Sequence, residues 1–387
     1  MDYYLIYSFC FVALGICNEV FISIYQYLLT LKKLYIRMDL LNTLPNIWPL
    51  ISLLKISLLP KEIKEPDSRL EDKENVHKKL EENTTKGLQS KATELAARHL
   101  RLSTYLLMAM FTYYLTPYPD ITLDLKDESN RFYILYWAPF IVSRNVIMVG
   151  SLYSGWHYFL YENKTMRGKL RSRKFDGRNL DENGDLIPAK GYHWKECAFW
   201  SINGIIIESF YECMVLQYWL TTKQTYTQFW SRPLISVLSL LFVGYWRDFH
   251  FYFAHRVMHP YFSTKSKWRN FDLGRFLYRN AHSLHHRSYN TGPWSGLSMH
   301  PIEHLIYFSC VFIPSIIIPQ HPLAFLYNHF HVLVSPLPGH DGFGDPAGGS
   351  KFHFLHHAHF DVNFGTPMVP LDRLFGSYDD GHKYKTN

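Results

Sequence analysis

The feature that most constrains this chain is a succession of apolar runs, several of them long enough to cross a bilayer, separated by short charged loops. Ala198–Leu220 and Leu234–Ala254 are two such runs, joined by Thr221–Pro233. About 20 helical residues cover a hydrocarbon core. Backbone groups inside lipid must pair within their own segment, so the runs are read as helices and the short connector makes them a hairpin. Ser103–Thr116 and Ile134–Tyr153 come earlier. Ile302–Ile318 and Leu323–Leu337 follow as a second pair, interrupted by Pro314, Pro319 and Pro322. The expectation is an all-α fold, an integral membrane helical bundle of two core transmembrane hairpins with additional N-terminal helices.

The loops orient that bundle. The loop before Ile134 carries Asp120, Asp124, Asp127 and Glu128, and the one after Tyr153 carries Arg167, Lys169, Arg171, Arg173, Lys174 and Arg178. By the positive-inside rule the second is cytosolic. Beyond the first hairpin, Lys265, Lys267, Arg269, Arg275, Arg279 and Arg287 stand against a single Asp272, which again reads cytosolic. The net charge of +7 therefore belongs to membrane topology, and no nucleic-acid partner is expected. Charged residues make up 19% of the chain, below the roughly 25% of soluble domains. The five cysteines lie in apolar stretches without a CxxC pair, so neither a disulfide framework nor a thiolate metal site is indicated.

Along the chain, residues 1–60 read as a hydrophobic or interfacial segment, with no cleavage site after the apolar stretch 3–29. Residues 61–102 are a charged cytosolic connector, 103–195 hold additional spans and the basic loop, and 196–387 form the histidine-bearing domain. The C-terminal Lys383-Tyr-Lys385-Thr-Asn387 resembles a K-x-K-x-x endoplasmic-reticulum retrieval signal, an address read from the cytosol. The sequons at Asn83 and Asn163 fall in loops read as cytosolic and are expected to stay unmodified.

Sixteen of the 21 histidines fall between His250 and His359, a concentration that needs a cause. In Asp248-Phe-His-Phe-Tyr252-Phe-Ala-His255-Arg-Val-Met-His259, residues 248, 252, 255 and 259 share one helical face, so His255 and His259 can ligate one metal. His282-Ser-Leu-His285-His286 and His353-Phe-Leu-His356-His357 repeat an i, i+3, i+4 spacing, from which three imidazoles can reach two metals. His340 is a further candidate, as is His331. Asp248 and Tyr252 lie on the His255 stripe, where a carboxylate can fix an imidazole tautomer. Eight or more neutral imidazoles exceed what one tetrahedral zinc requires. Two metals are implied, and iron pairs that reduce O2 and attack unactivated C–H bonds are favoured over a zinc-dependent membrane hydrolase. A metal transporter would need polar residues along several mid-membrane helices, whereas these histidines gather at one face.

From Trp200 to Ser377 the sequence resembles the fatty acid hydroxylase / sterol desaturase superfamily of membrane di-iron oxygenases. The resemblance rests on the Asp248–His259 run, both HxxHH clusters, His300-Pro-Ile-Glu303, His340-Asp-Gly-Phe343, Asn363-Phe-Gly365 and Asp372-Arg-Leu-Phe-Gly376. It implies a cytosolic histidine-rich helical cap in which His255, His259, His282, His285, His286, His340, His353, His356 and His357 bind two iron ions, with O2 as co-substrate. Asp248, Tyr252, Glu303 and Asn363 are candidates to orient those ligands. The resemblance further implies a b-type haem cytochrome and an NAD(P)H-dependent reductase as electron donors. Expected products are hydroxylated or desaturated lipids, a sterol being favoured over a sphingolipid, fatty acid or alkylglycerol, in the endoplasmic-reticulum membrane. Leu371 departs from the pattern, standing where many members have Trp.

Some residues read otherwise. His300 and Glu303 brace a helix start, and His250 lies off the ligand face. Glu208, Glu212 and Arg144 are costly inside apolar runs unless paired. Trp246, Phe249 and Trp294 are expected to shield the oxidation chemistry from water.

Overall fold

Each of the six apolar runs forms a helix in the computed structural model, which describes residues 91–124, 130, 132–170, 173–175, 191–262, 266–344 and 349–381. The expectations for residues 1–60, most of the connector, Asn83, much of the first basic loop and the C-terminal retrieval signal lie outside the described residues. The chain divides into two units, Met1–Glu65 and Pro66–Asn387, and every described residue belongs to the second.

The long helices are α1 (Lys91–Leu115), α2 (Tyr133–His157, continued by one π-helical turn to Glu162), α4 (Trp194–Thr222) and α5 (Pro233–Val257). Between α2 and α4 lies the short α3 (Lys164–Leu170). After α5 come α6 (Leu273–Asn280), 3₁₀ turns at His282–Arg287 and Pro293–Leu297, and α7 (Pro301–Ile317). The chain then forms α8 (Pro322–Val334), α9 (Pro336–His340), α10 (Gly349–His359) and α11 (Leu371–Leu374). Among the described residues there is no strand, only two isolated bridges, so the all-α expectation holds. The helix α1 runs through the boundary expected at residue 102. Prolines start α5, α7 and α8 at their first turn, where the missing N–H costs nothing. His300 and His321 cap α7 and α8 by accepting from Ile302 and Leu323 backbone N–H groups, which confirms His300 as a brace.

The core packs α4 against α2 and α7, and α8 against α1 and α5. Trp219 is fully buried, meets Phe325 edge-on at 5.5 Å, and donates from Nε1 to the Ser315 carbonyl at 3.1 Å, tying α4, α7 and α8 together. The buried charges noted in the sequence are paired. Arg144 Nη2 reaches both Glu212 carboxylate oxygens at 2.7 and 2.6 Å, Asn145 donates to Glu212 and to Ser209, and His329 Nδ1 lies 2.6 Å from Glu208. This network knits α2, α4 and α8.

The outer faces carry large exposed apolar side chains. Leu107 on α1, Leu135 and Ile147 on α2, Phe210 on α4 and Leu241 on α5 are more than half exposed. Among the described residues one helix, Tyr133–Glu162, is long and apolar enough to cross a membrane by length and composition. The helix α7 is apolar but shorter, while α4 and α5 have the length and carry Glu208, Glu212, Arg247 and Asp248, which lower their mean hydropathy.

Candidate metal centre

The site is built where α5 ends, in the loop and 3₁₀ turn that follow, and on α9 and α10. The i, i+4 spacing places His255 on the last turn of α5 and His259 just beyond it. His282–Arg287 is a 3₁₀ turn, not the α-helical turn expected. With three residues per turn, His282 and His285 stand one above the other, their rings 5.5 Å apart and near parallel. On α10, His353 and His357 share a face and His356 points off it.

These turns gather nine imidazoles into two groups. His255, His259, His282, His286 and His356 form one, and His285, His340, His353 and His357 the other, with the ligand atoms of each group within 4.8 Å of one another. All nine are buried. In the first group His282 Nε2 lies 2.8 Å from His259 Nε2, 3.1 Å from His255 Nε2 and 3.0 Å from His286 Nε2, with His356 Nε2 3.2 Å from His286. In the second, His340 Nε2 lies 2.9 Å from His353, 3.1 Å from His357 and 3.3 Å from His285.

The opposite ring nitrogens say what these short approaches mean. His255, His285, His340 and His356 direct Nδ1 at the carbonyls of Phe364 (2.6 Å), Ser298 (3.3 Å), Pro336 (2.8 Å) and Val362 (2.7 Å). A carbonyl only accepts, so Nδ1 holds the proton and Nε2 of the neutral ring is a bare lone pair. His285 and His340 thus aim two lone pairs at each other, which repel unless a cation lies between them. Burial, with the neighbouring imidazoles adding to it, pulls the outer rings far below the ordinary imidazole range. His282 falls to about 3, and His285 to about 4 with burial as its main cause. Burial likewise holds His259, His286, His340, His353, His356 and His357 well below the ordinary imidazole range. The rings stay neutral and available as ligands.

The donor sets fit metal ions. Imidazole nitrogens about 2.1 Å from one ion stand about 3.0 Å apart in octahedral and about 3.4 Å apart in tetrahedral arrangement, and the spacings here, from 2.8 to 3.3 Å, lie in the range of nitrogens sharing an ion. Five and four nitrogen donors, with no carboxylate or thiolate in either group, suit two borderline transition-metal ions.

The remaining candidates fall out as follows. Glu303 accepts from His282 Nδ1 at 2.7 Å, as a ligand-orienting carboxylate should. Asp248 touches no imidazole; its partner is Arg247, at 2.9 Å, because the two are adjacent at the cavity wall. Tyr252 points away from the groups, toward Phe375 and Ser377. Asn363 works through the backbone. It adopts φ +55° and clamps Phe352, Asp379 and its own loop, whose carbonyls on either side hold His356 and His255. His331 joins neither group, since it sits on α8 with its ring stacked 4.9 Å from Tyr105. His250 pairs with Ser309 and is no part of either group, as its position off the ligand face implied.

Asp372 is a supporting residue seen only as part of a motif in the sequence. Its carboxylate accepts from the Phe364 and Gly365 N–H groups, each at 2.8 Å, and from Ser377 Oγ at 2.7 Å. A cavity opens beside both groups, with an empty volume of about 1150 Å³ including its mouth. Phe251 and Phe352 line it, whereas the expected shield of Trp246, Phe249 and Trp294 does not. Trp294 instead packs on Tyr153, and Trp246 bonds to the Cys310 carbonyl.

An all-helical protein with nine converging imidazoles beside an apolar cavity belongs among histidine-rich proteins with a candidate dinuclear metal centre. Residues 240–377 match the fatty acid hydroxylase family. Over 156 residues the chain is 28% identical to lathosterol oxidase of Rattus norvegicus, covering 38% of this chain and 46% of that protein. It is 29% identical over 145 residues to Delta(7)-sterol 5(6)-desaturase ERG3A of Gibberella zeae (36% of each), and 29% over 138 residues to the ERG3 enzyme of Saccharomyces cerevisiae (35% and 34%). The chain spans less than half the length of these curated relatives. No solved structure gives a significant match. The match to the fatty acid hydroxylase family is confined to residues 240–377, the segment that carries all nine grouped histidines.

Proposed function

We propose that this protein is a membrane lipid oxygenase in which the nine grouped histidines hold two iron ions, and that its substrate is a sterol. The observation that carries the reading is the pair of imidazole groups whose Nδ1 protons are committed to carbonyls and whose Nε2 lone pairs converge beside an apolar cavity. The matched relatives, named for sterol desaturation and lathosterol oxidation, support the sterol class. The exposed apolar belt on α1, α2, α4 and α5, and the Tyr133–Glu162 helix, support a membrane setting. We infer an endoplasmic-reticulum location with the histidines cytosolic, electrons arriving from a b-type haem cytochrome and its reductase.

An iron pair in this site supplies activation and reduction of O2. Overall, O2, two electrons and two protons convert a C–H to an alcohol and one water, or a CH–CH to a C=C and two waters. The chain's own part is positional. Glu303 keeps the proton of His282 on Nδ1, the Phe364, Ser298, Pro336 and Val362 carbonyls do the same for four other rings, and Phe251 and Phe352 keep the cavity dry.

The test is sterol analysis of membranes from cells over-producing the full chain, beside a His285→Ala control at matched oxygen, with metal analysis of the purified protein. A sterol changed by two hydrogens or one oxygen, only with the intact histidine and with iron bound, is expected. A hydrolytic change independent of O2, with zinc bound, overturns the reading.

A further inference from the structure

At the end of the cavity away from His259, three helices bring polar groups together that the metal centre does not use. Arg247, buried on α5, donates from Nη1 to Asp248 at 2.9 Å and from Nη2 to the Tyr307 hydroxyl at 3.3 Å, but its Nε is buried without a partner. Tyr307 is itself pinned, its hydroxyl donating to the Val332 carbonyl at 3.0 Å. His331 on α8 is buried, its ring held flat against Tyr105, and its Nδ1 also has no partner. Arg247, His331 and Tyr105 all line the cavity.

The residues that carry the two orphan nitrogens line the same cavity. Gly244, one turn before Arg247, faces His331: a Cβ there would stand in ordinary contact, 3.8 Å from the imidazole Cε1. Arg247 is in electrostatic range of His331. Its guanidinium covers the Phe251 ring at 4.9 Å, and that ring stacks on His255 at 5.1 Å. The cavity face of α5 thus carries a polar corner at Arg247 and a metal-ligating corner at His255. Eight residues of helix separate them, about 12 Å.

We propose that Arg247 Nε and His331 Nδ1 grip a hydroxyl of the substrate and thereby set which carbon faces the metal centre. A hydroxyl is the small group that satisfies both nitrogens, accepting from Arg247 Nε–H and donating to His331 Nδ1. Buried polar atoms left unpaired are costly, and filling them with one group recovers that cost only for a ligand that brings it. A carboxylate or phosphate does not suit the corner, because Asp248 already balances the Arg247 charge and a second anion would be buried uncompensated. With the hydroxyl held at one corner, a carbon only a few bonds away reaches the other. A sterol attacked in the ring beside its C3 hydroxyl fits; a lipid attacked far along a chain from its only polar group does not. This inference deepens the sterol-oxygenase reading and rests on it for what lies at the His255 end.

The experiment is equilibrium binding of a radiolabelled Delta(7)-sterol, and of its counterpart lacking the C3 hydroxyl, to the purified full chain in detergent. Product formation and metal content are measured on the same samples. Wild type is expected to prefer the hydroxylated sterol by about a hundredfold. Both His331→Phe, which keeps the stack on Tyr105 and removes Nδ1, and Arg247→Lys, which keeps the charge beside Asp248 and removes Nε–H, should narrow that ratio to a few-fold with metal content unchanged. Equal binding of the two sterols by wild type, or a preference that survives both variants, overturns the hydroxyl grip even where oxidised product forms. A hundredfold preference that the variants abolish, in a chain that yields no oxidised sterol, upholds the grip and removes the oxygenase reading instead.

Discussion

At the scale of single residues, the site depends on which ring nitrogen carries the proton. Among the described residues Glu303 is the one side chain that fixes this for a member of either group, through His282 Nδ1 at 2.7 Å; backbone carbonyls do it for four others. Glu303→Gln keeps an acceptor of the same shape and removes its charge, so His282 becomes a weaker donor while the fold is retained. Metal affinity should fall about 10- to 100-fold, read by competition with a chromogenic chelator; unchanged affinity would mean Glu303 does not act through His282. His331→Phe, by contrast, should leave metal stoichiometry where it is, since His331 lies in neither group. The sequence made the imidazole clusters legible because i, i+3, i+4 spacing is a direct geometric statement. It could not show that His331 was a cavity residue, because a single buried histidine on an apolar helix carries no periodic signal.

At the scale of elements, the ligands are only as well placed as the turns that hold them. The start of α6 closes directly on the end of α5. Asp272 caps α6 at the Arg275 N–H and also accepts from the Tyr261 and Phe262 N–H groups, and a Cβ on Gly274 would meet the His259 carbonyl at 1.9 Å. Backbone cannot rotate out of the way as a side chain does, so Gly274→Ala should displace His259. The purified variant is expected to bind less metal at the five-histidine group, and full loading would show the contact to be yielding. The loop 362–365 is the second such support. Asp372→Ala leaves the Phe364 and Gly365 N–H groups unpaired and frees the carbonyls that hold His255 and His356. A loss of about 1–3 kcal/mol is expected, measurable as a lower thermal midpoint together with weaker metal binding. These supports were the illegible part of the site. Spacing put His255 and His259 on one metal and split each HxxHH cluster between two, as the groups have it; the 3₁₀ turn at His282–Arg287 and the carbonyls of irregular loops follow from tertiary packing, so it did not tell which members of different clusters share a group.

At the scale of the whole molecule, nine neutral imidazoles are confined in one interior, and the fold carries that burden in a pH-dependent way. His282 is pulled to about 3 and His285 to about 4, and the other rings beyond the end of α5 are also held well below the ordinary range, chiefly by burial. In the unfolded chain the same rings take up protons near pH 6.5. Above that pH neither state is protonated and no stability is lost. As pH falls from about 6.5 toward the depressed folded values, the unfolded state binds more protons, and each such ring subtracts about 1.4 kcal/mol per pH unit. Several rings acting together consume a margin of about 5–15 kcal/mol within one or two units, so the metal-free cap should open as a unit and not ring by ring. Bound metal excludes the protons by occupying the same lone pairs and stabilises only the folded state. Chelator-treated protein should therefore lose its thermal midpoint steeply between about pH 6.5 and 5, while metal-loaded protein holds it to lower pH. Coincident acid profiles with and without metal would show that these imidazoles are not where the metal resides.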